Sequence, residues 1–190
     1  MLRQGLAVMI VVLAWGGSIG AAAAQHERPY EFNDTSFAIS IERFMGIDYT
    51  DFEGPGGGDL SLRLLLNAAE PVPTSYARLG FDVFIERLSI GVAGGVAKGI
   101  SGDAIALLAP RVGYLFGLTP ELGLWLRGGV FYTNDGPNYF GVTAEALLGW
   151  FPYRRLAITF GPTLDVAFAD DPGPDYVSIG LPEVGMTVWF

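Results

Sequence analysis

The C-terminal stretch V-S-I-G-L-P-E-V-G-M-T-V-W-F, from Val177 to Phe190, decides the fold. Every second residue back from the C-terminus is apolar, and this set comprises Val184, Met186, Val188 and Phe190. The residues between them are Glu183, Gly185, Thr187 and Trp189. Alternation with a period of two is the signature of a β-strand with two different faces. The chain therefore ends on a strand that turns one face to an apolar environment.

The same alternation recurs along the chain and predicts an all-β protein. The predicted strands cover 36–49, 76–86, 88–97, 105–116, 121–133, 139–151, 156–168 and 177–190. Short turns are predicted at Glu86-Arg87, at 117–120 and at 152–154, and longer loops at 50–75, 98–104, 134–138 and 169–176. Pro110 falls inside a predicted strand, which requires a bulge or a position near the strand end because proline lacks a ladder donor.

The segment Leu60 to Asn67 is ambiguous, because its leucines alternate but the run is short and Leu65 breaks the pattern. As a spanning strand it gives nine strands, and as part of the first long loop it gives eight. Bacterial single-chain membrane barrels have an even number of strands, with short turns at one end and longer loops at the other. The eight-strand count is the one that sorts the connections in this way.

The composition is that of a membrane protein without a spanning helix. Hydrophobic residues make up 51% of the chain and the mean hydropathy is +0.38. Beyond the N-terminal region, no run of about 18 uncharged apolar residues occurs. Such a chain can cross a membrane only as a closed sheet, in which every backbone N–H and C=O is paired. We therefore predict an antiparallel up-and-down transmembrane β-barrel of eight strands.

The ending on an aromatic residue resembles the closing strand of bacterial outer-membrane barrels, which the barrel-insertion machinery reads. The stretches R-L-G-F-D-V-F (Arg78 to Phe84) and G-P-T-L-D (Gly161 to Asp165) also resemble strands of small exported barrels. As a whole the chain resembles the eight-stranded outer-membrane protein A and X type. This resemblance implies a structural or surface-interaction protein of the outer membrane. We expect its partners to be lipid, lipopolysaccharide and the insertion machinery, and we expect a monomer.

The N-terminus has the features of a secretory signal peptide. A charged start, an apolar run from Gly5 to about Trp15 and small residues at Ala21 to Ala24 predict cleavage after Ala24. We therefore divide the chain into a signal peptide (1–24), a periplasmic lead-in (25–35) and a barrel (36–190). Without Arg3 the chain has 10 basic and 20 acidic residues, which disfavours binding to nucleic acid. The absence of cysteine excludes disulfides and thiolate metal sites.

Aromatic residues fall near both predicted rims, as interfacial anchoring requires. The set expected at the outer rim is Tyr49, Phe52, Tyr76, Tyr132, Tyr139, Phe168 and Tyr176. The set expected at the inner rim is Phe84, Tyr114, Phe116, Trp150, Phe151, Tyr153, Trp189 and Phe190. The alternative is a soluble lipocalin-like binding barrel, in which the apolar face would point inward.

If the apolar face meets lipid, the opposite face lines the lumen and carries charge. The predicted lumen charges are Glu42, Arg78, Asp82, Arg111, Arg127, Glu145, Asp165 and Glu183. An eight-stranded barrel is just wide enough for side chains to fill its interior. Since an unpaired buried charge is costly, we expect these residues to form ion pairs that plug the lumen. A narrow pore for small solutes is the alternative.

We expect no catalytic, cofactor or metal site. The outer-membrane lipid A deacylase, palmitoyltransferase, phospholipase and omptin families use an active-site histidine, and His26, the only histidine, precedes the barrel. The stretch 94–101 lacks the glycine of a phosphate-binding loop before Lys98 and ends a strand. A Ca²⁺ site at Asp170, Asp171 and Asp175 is less favoured than a solvated loop, because glycine and proline lie among these acids.

Half of the acidic residues fall at or in predicted outer loops. They are Asp48, Asp51, Glu53, Asp59, Glu70, Asp103, Asp135, Asp170, Asp171 and Asp175. Divalent cations that bridge these acids to lipopolysaccharide are a hypothesis that follows from this distribution.

Overall fold

The computed structural model describes residues 35–52, 58–64, 77–98, 104–134, 138–170 and 174–190. The predicted signal peptide and all of the predicted lead-in except Thr35 lie outside these residues. The strands are β1 (Ser36–Phe52), β2 (Gly58–Leu64), β3 (Arg78–Ile85), β4 (Leu88–Lys98), β5 (Ala104–Gly117), β6 (Leu122–Asn134), β7 (Asn138–Tyr153), β8 (Leu156–Ala169) and β9 (Tyr176–Trp189). In this part of the chain no helix is long and apolar enough to cross a membrane.

The strands form one antiparallel sheet that closes on itself. β3 to β9 pair in chain order, β1 pairs with β3, and β9 returns to β1 to complete the barrel. Along the edge of β1 that faces β3, Ser36–Glu42 pairs with β3 whereas Met45–Asp51 pairs with β2. β2 and β3 thus lie end to end and share one position in the wall. The barrel has eight positions, as predicted, and Gly58–Leu64 is nevertheless a strand.

The two faces of the wall have opposite character, which confirms the predicted alternation. Burial alternates residue by residue along β3, β7 and β8. Large apolar side chains such as Leu79, Val112 and Phe140 are exposed on the outer surface. Charged and hydroxyl side chains, including Asp82 and Thr159, are buried inside. This is the arrangement of a barrel surrounded by lipid, and the reverse of a lipocalin-like barrel.

Three short turns connect strands at one end of the barrel. Glu86-Arg87 joins β3 to β4, as predicted, and Glu86 adopts a left-handed conformation with φ of 56°. Residues 118–121 join β5 to β6. The third turn lies at Arg154-Arg155 rather than at 152–154, because β7 continues to Tyr153. At the other end, β1 and β9 reach their outermost pair at Phe52 and Tyr176.

Pro110 lies in the middle of β5, opposite Val92 of β4, so the expected bulge or end position is wrong. On the β6 side, the pairs on either side of it are Leu108 with Tyr132 and Arg111 with Gly129. The register is the same before and after this gap. The missing donor is therefore accommodated by an interruption of the ladder and not by a shift.

Irregularities occur in β1 and β9, where the two strands close the barrel. Between Ile41 and Met45, β1 has two residues more than β9, and Arg43 has a positive φ of 50°. Between Met45 and Asp48, β9 has the extra residue, beside Pro182. Bulges of this kind change which side chains point inward. As a result Glu42 and Arg43, although consecutive, are both buried.

Candidate functional site: the charged lumen

The eight charged residues predicted to line the lumen are all 6% exposed or less. They come from every strand of the wall except β2 and β4. Arg43 joins them, and these nine residues are called here the charged layer: Glu42, Arg43, Arg78, Asp82, Arg111, Arg127, Glu145, Asp165 and Glu183. A buried charge is tolerated when it is paired and hydrogen-bonded, so the contacts within this layer decide what it can do.

Arg111 of β5 contacts two carboxylates, Glu42 of β1 and Asp82 of β3. Its Nη1 and Nη2 donate to the two carboxylate oxygens of Glu42, at 2.5 Å and 2.7 Å. Its Nε donates to Asp82 Oδ1 at 3.0 Å, and Nη2 also pairs with Oδ2. Ser40 Oγ donates to Glu42 Oε1 at 2.5 Å. These charge-assisted bonds fix the planar guanidinium in one orientation.

Arg127 and Arg43 extend the layer across β7 and β8. Arg127 donates from Nη1 to Glu42 Oε1 at 2.8 Å and from Nε to Glu145 Oε2 at 2.7 Å. Arg43 donates from Nη2 to Glu145 Oε1 at 2.8 Å and from Nη1 to Asp165 Oδ2 at 2.5 Å. Glu42 and Glu145 therefore each accept hydrogen bonds from two arginines, which links β1, β5, β6, β7 and β8 through the interior.

Arg78 is held less closely than the other three arginines. Its Nη2 lies 3.6 Å from Glu145 Oε1, which is an ion pair but too long for a hydrogen bond. Within the described residues, its Nε and Nη2 have no hydrogen-bond acceptor. Its contribution to the layer is therefore mainly its charge.

Glycines on the wall provide the room for the charged side chains. A Cβ placed on Gly80 would overlap Ser40 Oγ, Arg111 Nη2 and Glu42 Oε1. A Cβ on Gly46 would lie 2.9 Å from Glu183 Oε2, and one on Gly180 would overlap the same carboxylate. The charged layer thus depends on positions that carry no side chain at all.

An apolar cluster closes the lumen between the charged layer and the short turns. It consists of Ala38, Phe84, Leu115, Trp125, Leu147, Phe151, Ala157 and Trp189. The rings of Phe84, Trp125 and Trp189 pack with centroid separations of 5.2–6.3 Å. Trp125 also connects the two layers: its Nε1 donates to Ser89 Oγ at 3.0 Å, and the Arg127 guanidinium lies 4.4 Å from its ring centroid.

A second apolar cluster fills the lumen toward the other end. It consists of Ala93, Leu107, Ala109, Phe131, Tyr139, Ala167 and Tyr176. The rings of Tyr139 and Tyr176 meet edge to face with centroids 5.2 Å apart. The expected place of five aromatic residues at the lipid rims is therefore wrong, because they point inward: Phe84, Tyr139, Phe151, Tyr176 and Trp189. The prediction used only the distance of each residue from the strand end. The alternation along the strand, which decides whether a side chain points inward or outward, places these five inside.

Two buried charges were missed by reasoning from the sequence alone. Arg43 stands at an outward position of the β1 period and turns inward only because of the bulge. An arginine among lipid-facing positions was the available signal, since lipid would not accept it. Asp48, which the sequence places at the end of the first predicted strand and among the acids at or in the outer loops, lies in β1 and is 2% exposed. It follows the same inward period as Glu42, because the bulge adds an even number of residues.

The structure gives no support to the other candidate sites. Asp175 Oδ1 accepts a hydrogen bond from the backbone N–H of Ala169 at 2.8 Å, whereas Asp171 lies outside the described residues. Among the residues that can be described, no group of three or more histidine or acidic side chains could hold a metal ion. His26 precedes the described part of the chain. Residues 94–98 of the phosphate-loop-like stretch belong to β4.

The chain resembles known proteins in structure and not in sequence. No protein-family model matches the chain, and no curated protein matches it by sequence. The structure is similar to that of Neisserial surface protein A, with a TM-score of 0.56, 11% identity, and coverage of 80% of this chain and 96% of that one.

Two further similar structures have lower scores. The N-terminal β-barrel domain of Pseudomonas aeruginosa OprF has a TM-score of 0.45, 12% identity, and coverage of 80% of this chain and 97% of that one. Ail, the attachment invasion locus protein of Yersinia pestis, has a TM-score of 0.45 and 13% identity, with coverage of 83% of this chain and 99% of that one. By the closure of its sheet and the apolar belt around it, the chain has the fold of the small eight-stranded barrels of the bacterial outer membrane.

Proposed function

We propose that this protein is a structural or surface-interaction barrel of the outer membrane whose lumen is plugged. The observation that carries the proposal is the order of layers inside the wall. Ion-paired arginines and carboxylates fill the middle, and an apolar cluster lies on each side of them. A solute would have to separate buried ion pairs and displace packed aromatic rings, both of which are costly.

Nothing in the layer suggests chemistry on a substrate. Glu42, Glu145 and Asp165 accept hydrogen bonds from arginines, and each is nearly inaccessible to solvent. A general base has to reach the proton that it removes. The outer loops are therefore the part of the molecule through which contact with partners is expected, and the barrel is their support.

Single-channel recording in a planar bilayer tests the plug. We expect the inserted wild-type barrel to show no unitary conductance. Arg111→Ala and Glu145→Ala remove shared members of the layer, and either change, when combined with Trp125→Ala and Phe131→Ala in the two apolar clusters, is expected to produce conductance events. Arg87→Ala, in an exposed turn, is the matched control. A wild-type conductance that stays the same in Arg111→Ala and Glu145→Ala would favour the narrow-pore alternative and contradict the proposal that the lumen is plugged.

We also propose that Val184, Met186, Val188 and Phe190 serve as the C-terminal insertion signal and that the barrel is monomeric. The support for the first is that these residues form the lipid-facing side of the last strand, with Phe190 exposed at its end. The support for the second is that the ladder closes within one chain. The mass of the protein–detergent complex in solution tests the monomer, and a dimer mass would overturn it.

A further inference from the structure

The three short turns differ in charge. The β7–β8 turn consists of Arg154 and Arg155, both exposed, and contains no acid. In the β3–β4 turn Arg87 follows Glu86, so the two charges offset each other. The β5–β6 turn contains Glu121 and no basic residue. Among the short turns, the β7–β8 turn is therefore the one with a net positive charge.

Aromatic side chains on the lipid-facing surface lie beside this turn. Tyr153 directly precedes Arg154 and is 54% exposed, and Trp150 of β7 is 46% exposed. Backbone pairing places Trp150 opposite Ile158 of β8 and Tyr153 opposite Leu156, so both lie on the hairpin that the turn closes. Tyrosine and tryptophan on a lipid-facing surface mark the level of the headgroups. Arg154 and Arg155 directly follow Tyr153, at the same end of this hairpin.

A guanidinium at headgroup depth meets phosphate groups, to which its parallel N–H donors can bind in pairs. In phosphatidylcholine and phosphatidylethanolamine a cationic group on the same molecule offsets the phosphate charge. In an anionic phospholipid it does not, so a basic turn prefers the anionic lipid. The opposite end of the barrel has exposed acids, such as Asp51 and Asp170, and would repel the same lipid.

Arg154 already takes part in an interaction within the protein, which leaves Arg155 as the arginine of this turn that is available to a lipid. We propose that the β7–β8 turn, with Arg155 as the main phosphate ligand and Trp150 and Tyr153 against the acyl chains, is a binding site for anionic glycerophospholipids. Phosphatidylglycerol represents this class. The site lies outside the lumen and does not depend on the plug.

Quenching of Trp150 by brominated lipids tests this site. Trp125 and Trp189 are 1% and 2% exposed and face the lumen, whereas Trp150 faces the lipid. The fourth tryptophan, Trp15, lies in the predicted signal peptide and is replaced by phenylalanine, so that Trp150 is the tryptophan that reports contact with lipid. Brominated phosphatidylglycerol is titrated against unbrominated phosphatidylcholine in vesicles. The reverse titration, with brominated phosphatidylcholine, corrects for general access. At low salt we expect Trp150 to prefer phosphatidylglycerol about fivefold, which is the attraction that one basic residue gains near an anionic surface. This preference should decrease at high salt, because salt screens the attraction.

Variants assign the effect to the turn. Arg155→Gln is expected to bring the preference close to one, and Arg155→Lys to retain part of it, because lysine keeps the charge but not the paired donors. Arg87→Gln removes the same charge from another turn and is expected to leave the preference at Trp150 unchanged. Equal quenching by the two lipids in the wild type, or a preference that persists in Arg155→Gln, would overturn the proposal. A heat-dependent mobility shift of each variant shows that it is folded.

Discussion

Arg111 and Glu42 form a bidentate ion pair across the interior of the barrel, with N–O distances of 2.5 Å and 2.7 Å. β1 and β5 are not neighbours in the wall, so no backbone ladder joins them. This ion pair therefore constrains the distance between β1 and β5, which no backbone hydrogen bonds between these two strands fix. It also brings Asp82 and Arg127 into the same group of contacts.

Replacement of Arg111 is expected to destabilise the barrel more than replacement of Arg78. Arg111→Met leaves Asp82 without its arginine and Glu42 with one arginine fewer, and loss of one partner of a buried pair typically costs about 3–5 kcal/mol. Arg78→Met removes only the 3.6 Å approach to Glu145, so we expect a smaller loss. Urea unfolding in detergent, followed by gel mobility, gives both free energies of unfolding. Equal losses would contradict this ranking of the arginines.

Gly80→Ala is expected to be destabilising by about 1–3 kcal/mol, the usual cost of overpacking a filled interior. The added methyl group would overlap the Arg111–Glu42 pair, whose donor and acceptor atoms could not both keep their positions. Gly117→Ala is the matched control, because a Cβ there meets nothing within 4 Å. The comparison uses the same urea titration. A Gly80→Ala protein as stable as Gly117→Ala would mean that the lumen has spare room at this layer.

Glu86→Gly is expected to stabilise the protein by about 0.5–1 kcal/mol. Glu86 holds a φ of 56° at the first position of a two-residue turn, where glycine adopts positive φ without the steric cost of a Cβ. The midpoint of the heat-induced mobility shift should rise accordingly. Arg87→Gly is the control and should give no such gain, since Arg87 has no positive φ. An unchanged midpoint in Glu86→Gly would show that this turn is not strained.

Phe190 and Phe37 allow the insertion signal to be separated from simple stability. Their rings stack with centroids 5.3 Å apart, and Phe190 N–H donates to the Phe37 carbonyl at 2.9 Å. Phe190→Ala and Phe37→Ala both remove this stack. Phe37→Ala also removes the contact with the Phe81 ring, whose centroid is 6.2 Å away, so it is expected to lower stability after refolding in vitro at least as much as Phe190→Ala does.

In cells, the two variants are expected to differ. If the C-terminal residues are read during insertion, Phe190→Ala should reduce the amount of folded protein in the outer membrane several-fold more than Phe37→Ala does. The measurement is the fraction of protein that shows the mobility shift in isolated outer membranes. Equal fractions for the two variants would argue against a signal at the C-terminus.

The wall could be predicted from the sequence because period-two alternation is a local property. The outward residues of β5 and β6, such as Val112 and Leu126, follow directly from it. The lumen charges follow as well wherever the strand is regular, as for Asp82 and Glu145. Once the strands and their lipid-facing residues are known, the residues between them must point into the lumen and are therefore buried.

What could not be predicted depends on contacts between distant segments. The inward turn of Arg43 requires a bulge whose position is set by the pairing of β1 with β9. The place of Gly58–Leu64 in the wall requires the register of β1, which no local pattern specifies. Which carboxylate each arginine contacts depends on the packing of the whole lumen. Alternation gives the face of a residue, whereas its partner across the lumen comes only from the closed structure.

The end-to-end arrangement of β2 and β3 has a consequence for how this chain can vary. Leu64 lies opposite Met45 and Arg78 opposite Glu42, on the same edge of β1. The end of β2 and the start of β3 thus lie at nearly the same height along β1. Barrel closure requires only that the return register be kept, so the length of residues 65–77 is open to evolutionary change. A variant with a short linker in their place should keep its mobility shift, and loss of the shift would mean that the segment itself supports the wall. New sequence inserted at this junction would add a feature to the protein without altering its strand register.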